Sequence, residues 1–424
     1  MYRSKALPKS LSLYLYTFIT ANFLISIVTY VRINYLGANL LLGQLTTSSD
    51  KSGVIPQGAY SSGPYTFGVH YFSDFLEPLL KTQARAPYSH LPNGLEVSNY
   101  PPLGQAILFP FSWTPYRPTV VIFLASMLIA LLSAFWYVTK DLKRRDLLLF
   151  LTVGVAGSTP VLFLLDRGNL WGFTTALCLW AIIAGINGNW KAAGICISIA
   201  ACLKVFPIVL LIWVYRRSGV RSLVPGIISG LVATLGSMML FKGSIIGNFM
   251  AFIKSQAPVH SNLSGDPSYH PFNNSLLGLL GNIQGSSFSL ISSIGRVLLV
   301  NYIVVVFCLL VVSVLAILNN PRNDSRSLVE LTLLITLITL LPPAVFGYAL
   351  SLFLLPLLLI LRSGLDQDDS DLICVVIALM FVNKIALAPY GAFQTGSNLC
   401  NSSLNLLLLV ICLRRLLQGV EYST

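Results

Sequence analysis

The sequence predicts an all-α polytopic membrane protein with about 12 transmembrane helices and a long first extracytoplasmic loop. Three observations carry that reading. Hydrophobic residues make up 55% of the 424 and charged residues only 10%, with a mean hydropathy of +0.76, a balance foreign to soluble chains. Apolar runs recur at lengths near the roughly 20 residues that cross a bilayer as a helix. Basic residues gather at alternate ends of those runs, as the positive-inside bias requires.

The first run, Leu11 to Val31, follows Arg3, Lys5 and Lys9. It is longer than a signal-peptide core and lacks a clear small-residue cleavage site, so it reads as a retained span, about 11–32, running outward. Residues 33–117 then form one long polar segment outside. The span at about 118–139 returns to Lys140, Lys143, Arg144 and Arg145; 147–165 goes out, and 170–186 comes back to Asn187 and Lys191. The stretch 192–215 carries Lys204 and Pro207 near its middle. As one span it would put Lys191 and the Arg216/Arg217/Arg221 cluster on opposite sides and turn every later basic cluster outward. As two half-length crossings that turn near Lys204 it keeps them all inside, and charge favours the turn. Half-spans of about 12 residues rise only about 18 Å, which places Lys204 below the outer surface, in protein or water rather than lipid. The remaining spans are about 221–241, 297–318, 328–341, 349–361, 372–389 and 402–416, with both termini inside. On this threading 11 of the 27 Lys/Arg face outward and 16 the cytoplasm.

The chain, 1–424, thus reads as a single integral membrane domain with two long outer segments, 33–117 and 242–296. Segments of that length carry function more often than they merely connect. Apolar patches in the first, such as 75–80, are expected to lie along the interface as short helices. The net charge of +12 belongs to the cytoplasmic loops and calls for membrane lipids, with no nucleic acid partner. Six of the seven cysteines sit inside apolar runs and none forms a CxxC, so neither a metal site nor a disulfide framework is expected. No cofactor is expected. The acidic run 365–371 reads as a solvated cytoplasmic loop.

The unusual polar groups collect on the outer side. Asp74 and Glu77 lie in the first loop; "LFLLDRGNLWGF" sets Asp166, Arg167, Gly168 and Asn169 between two apolar runs; Lys204 marks the broken span. Asn383-Lys384, Tyr269-His270, Asn273-Asn274-Ser275 and Tyr348 complete the set. Ionised groups at such positions are costly and are commonly functional. An acid facing several embedded cations fits sugar transfer from a polyprenyl-phosphate donor. The leaving phosphate develops charge that Arg or Lys stabilises, and a carboxylate deprotonates the acceptor hydroxyl. Arg167, Lys204, Lys384 and His270 are the candidate phosphate ligands and Asp74 the candidate base. Each has a plainer reading. Asp74 and Glu77 also suit the first turn of the helix at "FLEPLL". Arg167 also suits a pair with Asp166, Lys384 a snorkelling anchor, and "YPP" with Tyr100 a rigid turn.

These residues also resemble a family. "YFSDF" with Asp74, "NYPPLGQAILFPF" at 99–111, "DRGNLWGF" at 166–173, "AACLKVFPIVLLIWVYRR" at 200–217, "FNNSLLGLL" at 272–280 and "PPAVFGYALSLFLLPLL" at 342–358 are similar, in that order, to the GT-C superfamily and more specifically to glycosyltransferase family 87. The resemblance implies a GT-C type fold and an inverting mannosyltransferase in the bacterial plasma membrane. It further implies an active site facing outside, a polyprenyl-phosphate-mannose donor, a lipid or glycan acceptor, and the first-loop Asp as base. The turn before "LLPL" often carries Ser and His in that family; here it is Phe346, Gly347 and Tyr348. Two rivals share the outer cations. A secondary transporter would show repeated halves, and no second copy of the Lys204 break is found. A polysaccharide ligase or polymerase would use a lipid-pyrophosphate donor.

Overall fold

The computed structural model describes residues 7–35, 73–88, 98, 100–113, 116–139, 143–265, 273–284, 289–320, 326–343, 345–363, 368–382 and 393–421. Among these residues every regular element is helical. In chain order come α1 (Lys9–Tyr35), α2 (Ser73–Gln83), α3 (Pro102–Ala106), α4 (Tyr116–Thr139), α5 (Arg144–Leu149) and α6 (Thr159–Arg167). Next are α7 (Trp171–Ile186), α8 (Trp190–Leu203), α9 (Leu211–Ser218), α10 (Leu223–Met238), α11 (Ile245–Gly265) and α12 (Leu276–Gln284). The chain ends with α13 (Ser289–Val300), α14 (Tyr302–Asn319), α15 (Ser327–Leu340), α16 (Leu354–Ser363), α17 (Asp368–Phe381) and α18 (Phe393–Glu421).

Among the described residues, four stretches are long and apolar enough to cross a bilayer: Pro118–Thr139, Val220–Met238, Tyr302–Asn319 and Cys400–Gln418. Arg144–Ala156 and Thr159–Arg167 make a fifth if the broken pair is one span. The span read at 11–32 falls on α1, a helix of 27 residues. Several other crossings read from the sequence correspond to apolar helices of 10–17 residues, among them Trp171–Ile186, Trp190–Leu203 and Ser327–Leu340, too short to count as spans by length alone. One expectation changes. The run 147–165, read as one span, breaks at Gly157. The backbone widens to a π-helix over Phe150–Ala156, the Gly157 N–H reaches the Thr152 carbonyl at 2.8 Å, and Pro160 has no N–H with which to continue the ladder. Within 242–296, read from the sequence as a long outer segment, the described residues fold largely into α11, α12 and most of α13.

The chain packs as two compact units. One comprises Leu42–Tyr137 and Val161–Asn262. Within it, small residues four apart bring α8 and α10 close: Gly194, Ser198 and Cys202 face Gly226, Gly230 and Thr234. A Cβ on Gly226 would lie 2.6 Å from the Gly194 carbonyl oxygen, and one on Gly194 2.7 Å from that of Ser222. The Thr234 hydroxyl meets the Cys202 sulfur at 3.4 Å. Lipid offers apolar side chains no less comfort than a neighbouring helix does, so backbone approach through small residues is what holds such a pair. The second core of this unit is aromatic: Phe75, Leu79, Tyr100, Leu108, Val120, Phe123 and Leu170 bury together.

The other unit comprises Met1–Leu41, Val138–Pro160 and Leu263–Thr424. Its centre is α15, every residue of which is buried. The hydroxyls of Thr332, Thr336 and Thr339 satisfy themselves on carbonyls one turn back, at 2.7–2.9 Å, and Thr339 also accepts from Asn405 at 2.9 Å. Polar side chains in apolar surroundings are thereby closed off within the helix. Tyr14 on α1 donates to the Gly154 carbonyl at 2.6 Å, and Ser10 to Asp371 at 2.6 Å.

Candidate active site

Asp74 enters the first unit in the opening turn of α2, where the helix dipole favours a carboxylate. Its neighbour Phe75 is fully buried, with its ring 4.3 Å from that of Phe123 and 6.2 Å from that of Phe111. That anchor fixes the angle at which Asp74 leaves the helix. Opposite it, α6 ends at Arg167. Gly168 takes the left-handed conformation at φ 62°, which a glycine adopts without strain. The Asn169 side chain then folds over the start of α7, its Oδ1 accepting the Trp171 N–H at 2.9 Å. Leu170, fully buried in the same core as Phe75, ties this turn to α2.

These elements bring together side chains 93 and 95 residues apart in sequence. Arg167 grips Asp74 with two parallel bonds, Nη2 to Oδ1 at 2.5 Å and Nε to Oδ2 at 2.7 Å. Asn169 Nδ2 donates to Oδ2 at 2.6 Å. Bidentate, charge-assisted pairs of this kind fix geometry as well as energy. The pair is not sealed: the side chains of Arg167 and Asp74 remain 24% and 16% exposed. Burial pushes the Asp74 carboxyl up. The charge and hydrogen bonds of Arg167, the Asn169 amide and the weaker pull of Lys204 outweigh it, and hold the group below the ordinary carboxylate range.

Tyr100 and Lys204 complete the cluster. The Tyr100 hydroxyl donates to the Asp74 backbone carbonyl at 3.2 Å, and the Lys204 ammonium stands 3.8 Å above the Tyr100 ring. Tyr100 is held from two sides. Tyr88 donates to its carbonyl at 3.0 Å, and its own N–H donates to Ser98 Oγ at 3.2 Å. Gln105, fully buried, links Ser98 to Thr82 on α2, and Ser255 on α11 donates to the Ser98 carbonyl at 3.0 Å. Pro101 and Pro102 start α3 just beyond, where proline costs no hydrogen bond. Lys204 sits where α8 stops: its backbone is extended, and a 3-10 turn, Phe206–Leu210, carries Pro207 next. Its ammonium makes no hydrogen bond or ion pair among the described residues.

Of the residues singled out in the sequence, Asp74, Arg167, Asn169, Lys204 and Tyr100 therefore converge. The partner of Arg167 that the sequence did not name is Asp74. The "YPP" turn does more than stiffen the chain, since Tyr100 braces Asp74 and underlies Lys204; the aromatic residue beside the two prolines was the available signal. The Ser98–Gln105–Thr82 brace was missed altogether. Glu77 lies one turn along α2, and its side chain is outside the described residues, as are His270 and Lys384. Asn274 and Tyr348 belong to the other unit. There the Asn274 N–H donates to the Val345 carbonyl at 2.6 Å, and the Tyr348 ring stacks on Phe346 at 5.7 Å.

A membrane protein whose described residues form only helices, with a carboxylate, a guanidinium and an ammonium gathered at helix ends, is thus defined. Its sequence matches the profile of Glycosyltransferase family 87 over residues 99–343, more than half of the chain. The chain belongs to that family and is a glycosyltransferase. Tyr100, Arg167, Asn169 and Lys204 lie inside the matched segment, and Asp74 precedes it. No curated protein matches the chain.

Proposed function

We propose that the protein transfers a sugar, mannose by the family resemblance, from a polyprenyl-phosphate donor to a lipid or glycan acceptor. The reaction runs with inversion on the outer face of a bacterial plasma membrane. The observation that carries this reading is the Lys204 ammonium, unpaired among the described residues, beside an Asp74 already neutralised by Arg167. A lysine without an ion-pair partner at the foot of a helix break, protonated when an anion lies against it, suits the single negative charge of a phosphodiester donor, and suits better the second charge that develops as it leaves. Arg167 has Nε and Nη2 committed to Asp74, so the geometry favours Lys204 over Arg167 as the phosphate ligand.

The step is a single displacement. The acceptor oxygen forms a bond to the anomeric carbon, the bond from that carbon to the phosphate oxygen breaks, and its electron pair leaves with the phosphate. The acceptor proton passes to Asp74. The lowered proton affinity of Asp74 keeps it ionised and ready at neutral pH. Incubating the purified protein with radiolabelled polyprenyl-phosphate sugars and a panel of lipid acceptors tests the proposal. Transfer from polyprenyl-phosphate mannose supports it; transfer from lipid-pyrophosphate sugars alone refutes it.

A further inference from the structure

We propose that Asn169 is a positioning residue for the proton transfer, directing the acceptor's proton to Oδ1 of Asp74. The inference rests on the reading of Asp74 as the base. Oδ2 accepts two hydrogen bonds, from Arg167 Nε at 2.7 Å and Asn169 Nδ2 at 2.6 Å, whereas Oδ1 accepts one, from Arg167 Nη2 at 2.5 Å. A carboxylate oxygen offers two lone-pair sites. Oδ2 is therefore full, and Oδ1 keeps one site for an incoming hydroxyl. The asymmetry comes from Asn169, because Arg167 gives each oxygen one bond. Nor can the amide turn over, since its own Oδ1 is taken by the Trp171 N–H at 2.9 Å, which leaves only the NH2 group to face Asp74. Among the described side chains, the other charged or titratable groups facing Asp74 are Arg167 at the end of α6, Lys204 at the end of α8 and the Tyr100 hydroxyl. None of them breaks the equivalence of the two oxygens as Asn169 does.

Two variants separate the amide's contact with Asp74 from its role in the turn. Asn169→Asp keeps an acceptor for the Trp171 N–H but replaces the donor with a second carboxylate. Asn169→Ser keeps a neutral turn-forming hydroxyl too short to reach Asp74. Each is measured as full-length purified protein with polyprenyl-phosphate mannose and acceptor, reading the pH profile of kcat/KM, the donor KM and the thermal midpoint, with Asp74→Asn run alongside. Expected for Asn169→Ser is a fall in kcat of about tenfold, an unchanged donor KM and an acid limb displaced upward. Asn169→Asp displaces the limb further, because two adjacent carboxylates resist ionising together. If Asn169→Ser folds with the wild-type kcat and acid limb, Asn169 is a turn-former only and the inference is overturned, whether or not Asn169→Asp folds. An Asp74→Asn enzyme at the wild-type rate would instead overturn the base reading. An inactive Asp74→Asn beside wild-type-like Asn169 variants overturns the positioning role alone.

Discussion

Asp74 and Asn273 each tie together stretches of chain far apart in sequence, with opposite electrostatics. Asp74 does it with charge, in a pair left partly open to solvent and flanked by a surplus ammonium. Asn273, 3% exposed, does it with a neutral amide: Nδ2 donates to the Pro343 carbonyl at 2.6 Å, and Oδ1 accepts from Val345 at 2.8 Å and Ser275 at 3.0 Å. Ser275 adds a bond to the same Pro343 carbonyl at 3.2 Å. A neutral clamp satisfies its partners and offers nothing to an ion. If shape alone were needed at Asp74, a neutral pair in place of Asp74 and Arg167 would serve there too and at lower desolvation cost. Keeping charge in a half-buried place makes sense where a charged substrate arrives and a proton must move.

The largest expected effect of breaking this contrast is on turnover. Asp74→Asn retains size but removes basicity and one of the two oxygens that accept from Arg167 and Asn169, and is expected to lower kcat by about 10²–10⁴. Glu77→Gln is expected to be far milder. Measured single-turnover rates with labelled donor decide; a fast Asp74→Asn with a slow Glu77→Gln would move the base to Glu77. Asn273→Ala is expected to do the reverse. It leaves the buried Val345 N–H unpaired and costs about 1–3 kcal/mol of stability, read as a lower thermal midpoint, while the folded fraction keeps the wild-type donor KM. A raised donor KM at an unchanged midpoint would make the clamp part of the donor site.

The smallest effect is in pH. The folded protein holds Asp74 below its ordinary value of 3.8. The pair's stability is therefore present above the unfolded value and is lost as pH falls through the lower, folded one. The acid limb of kcat/KM is expected in that same low range. A limb near neutrality would assign it to another group.

The sequence made some of this visible and hid the rest for physical reasons. Composition and charge bias gave the helical membrane class, and the Lys204–Pro207 interruption of an apolar run located the end of α8. The "DRGN" turn was legible from Gly168 and Asn169. The pairing of Asp74 with Arg167 was not, because it depends on Phe75 and Leu170 sharing one core, a long-range contact that no local pattern encodes. The break at Gly157 was hidden because an apolar run scores alike whether its ladder is α or π. Helix α11 was hidden because its Lys254, Gln256, Pro258 and His260 give the stretch a loop-like composition, although Ser255 within it is buried against Ser98.

Donor binding by Lys204→Ala and Asp74→Asn, measured side by side at equilibrium with polyprenyl-phosphate mannose, tests most directly the claim that the charged cluster serves a lipid-phosphate substrate. Lys204→Ala is expected to bind about ten- to hundred-fold more weakly, the loss of one charge-assisted contact of about 1.5–3 kcal/mol, while Asp74→Asn binds as the wild type does. Wild-type affinity in Lys204→Ala would contradict the account and place the phosphate elsewhere in the protein.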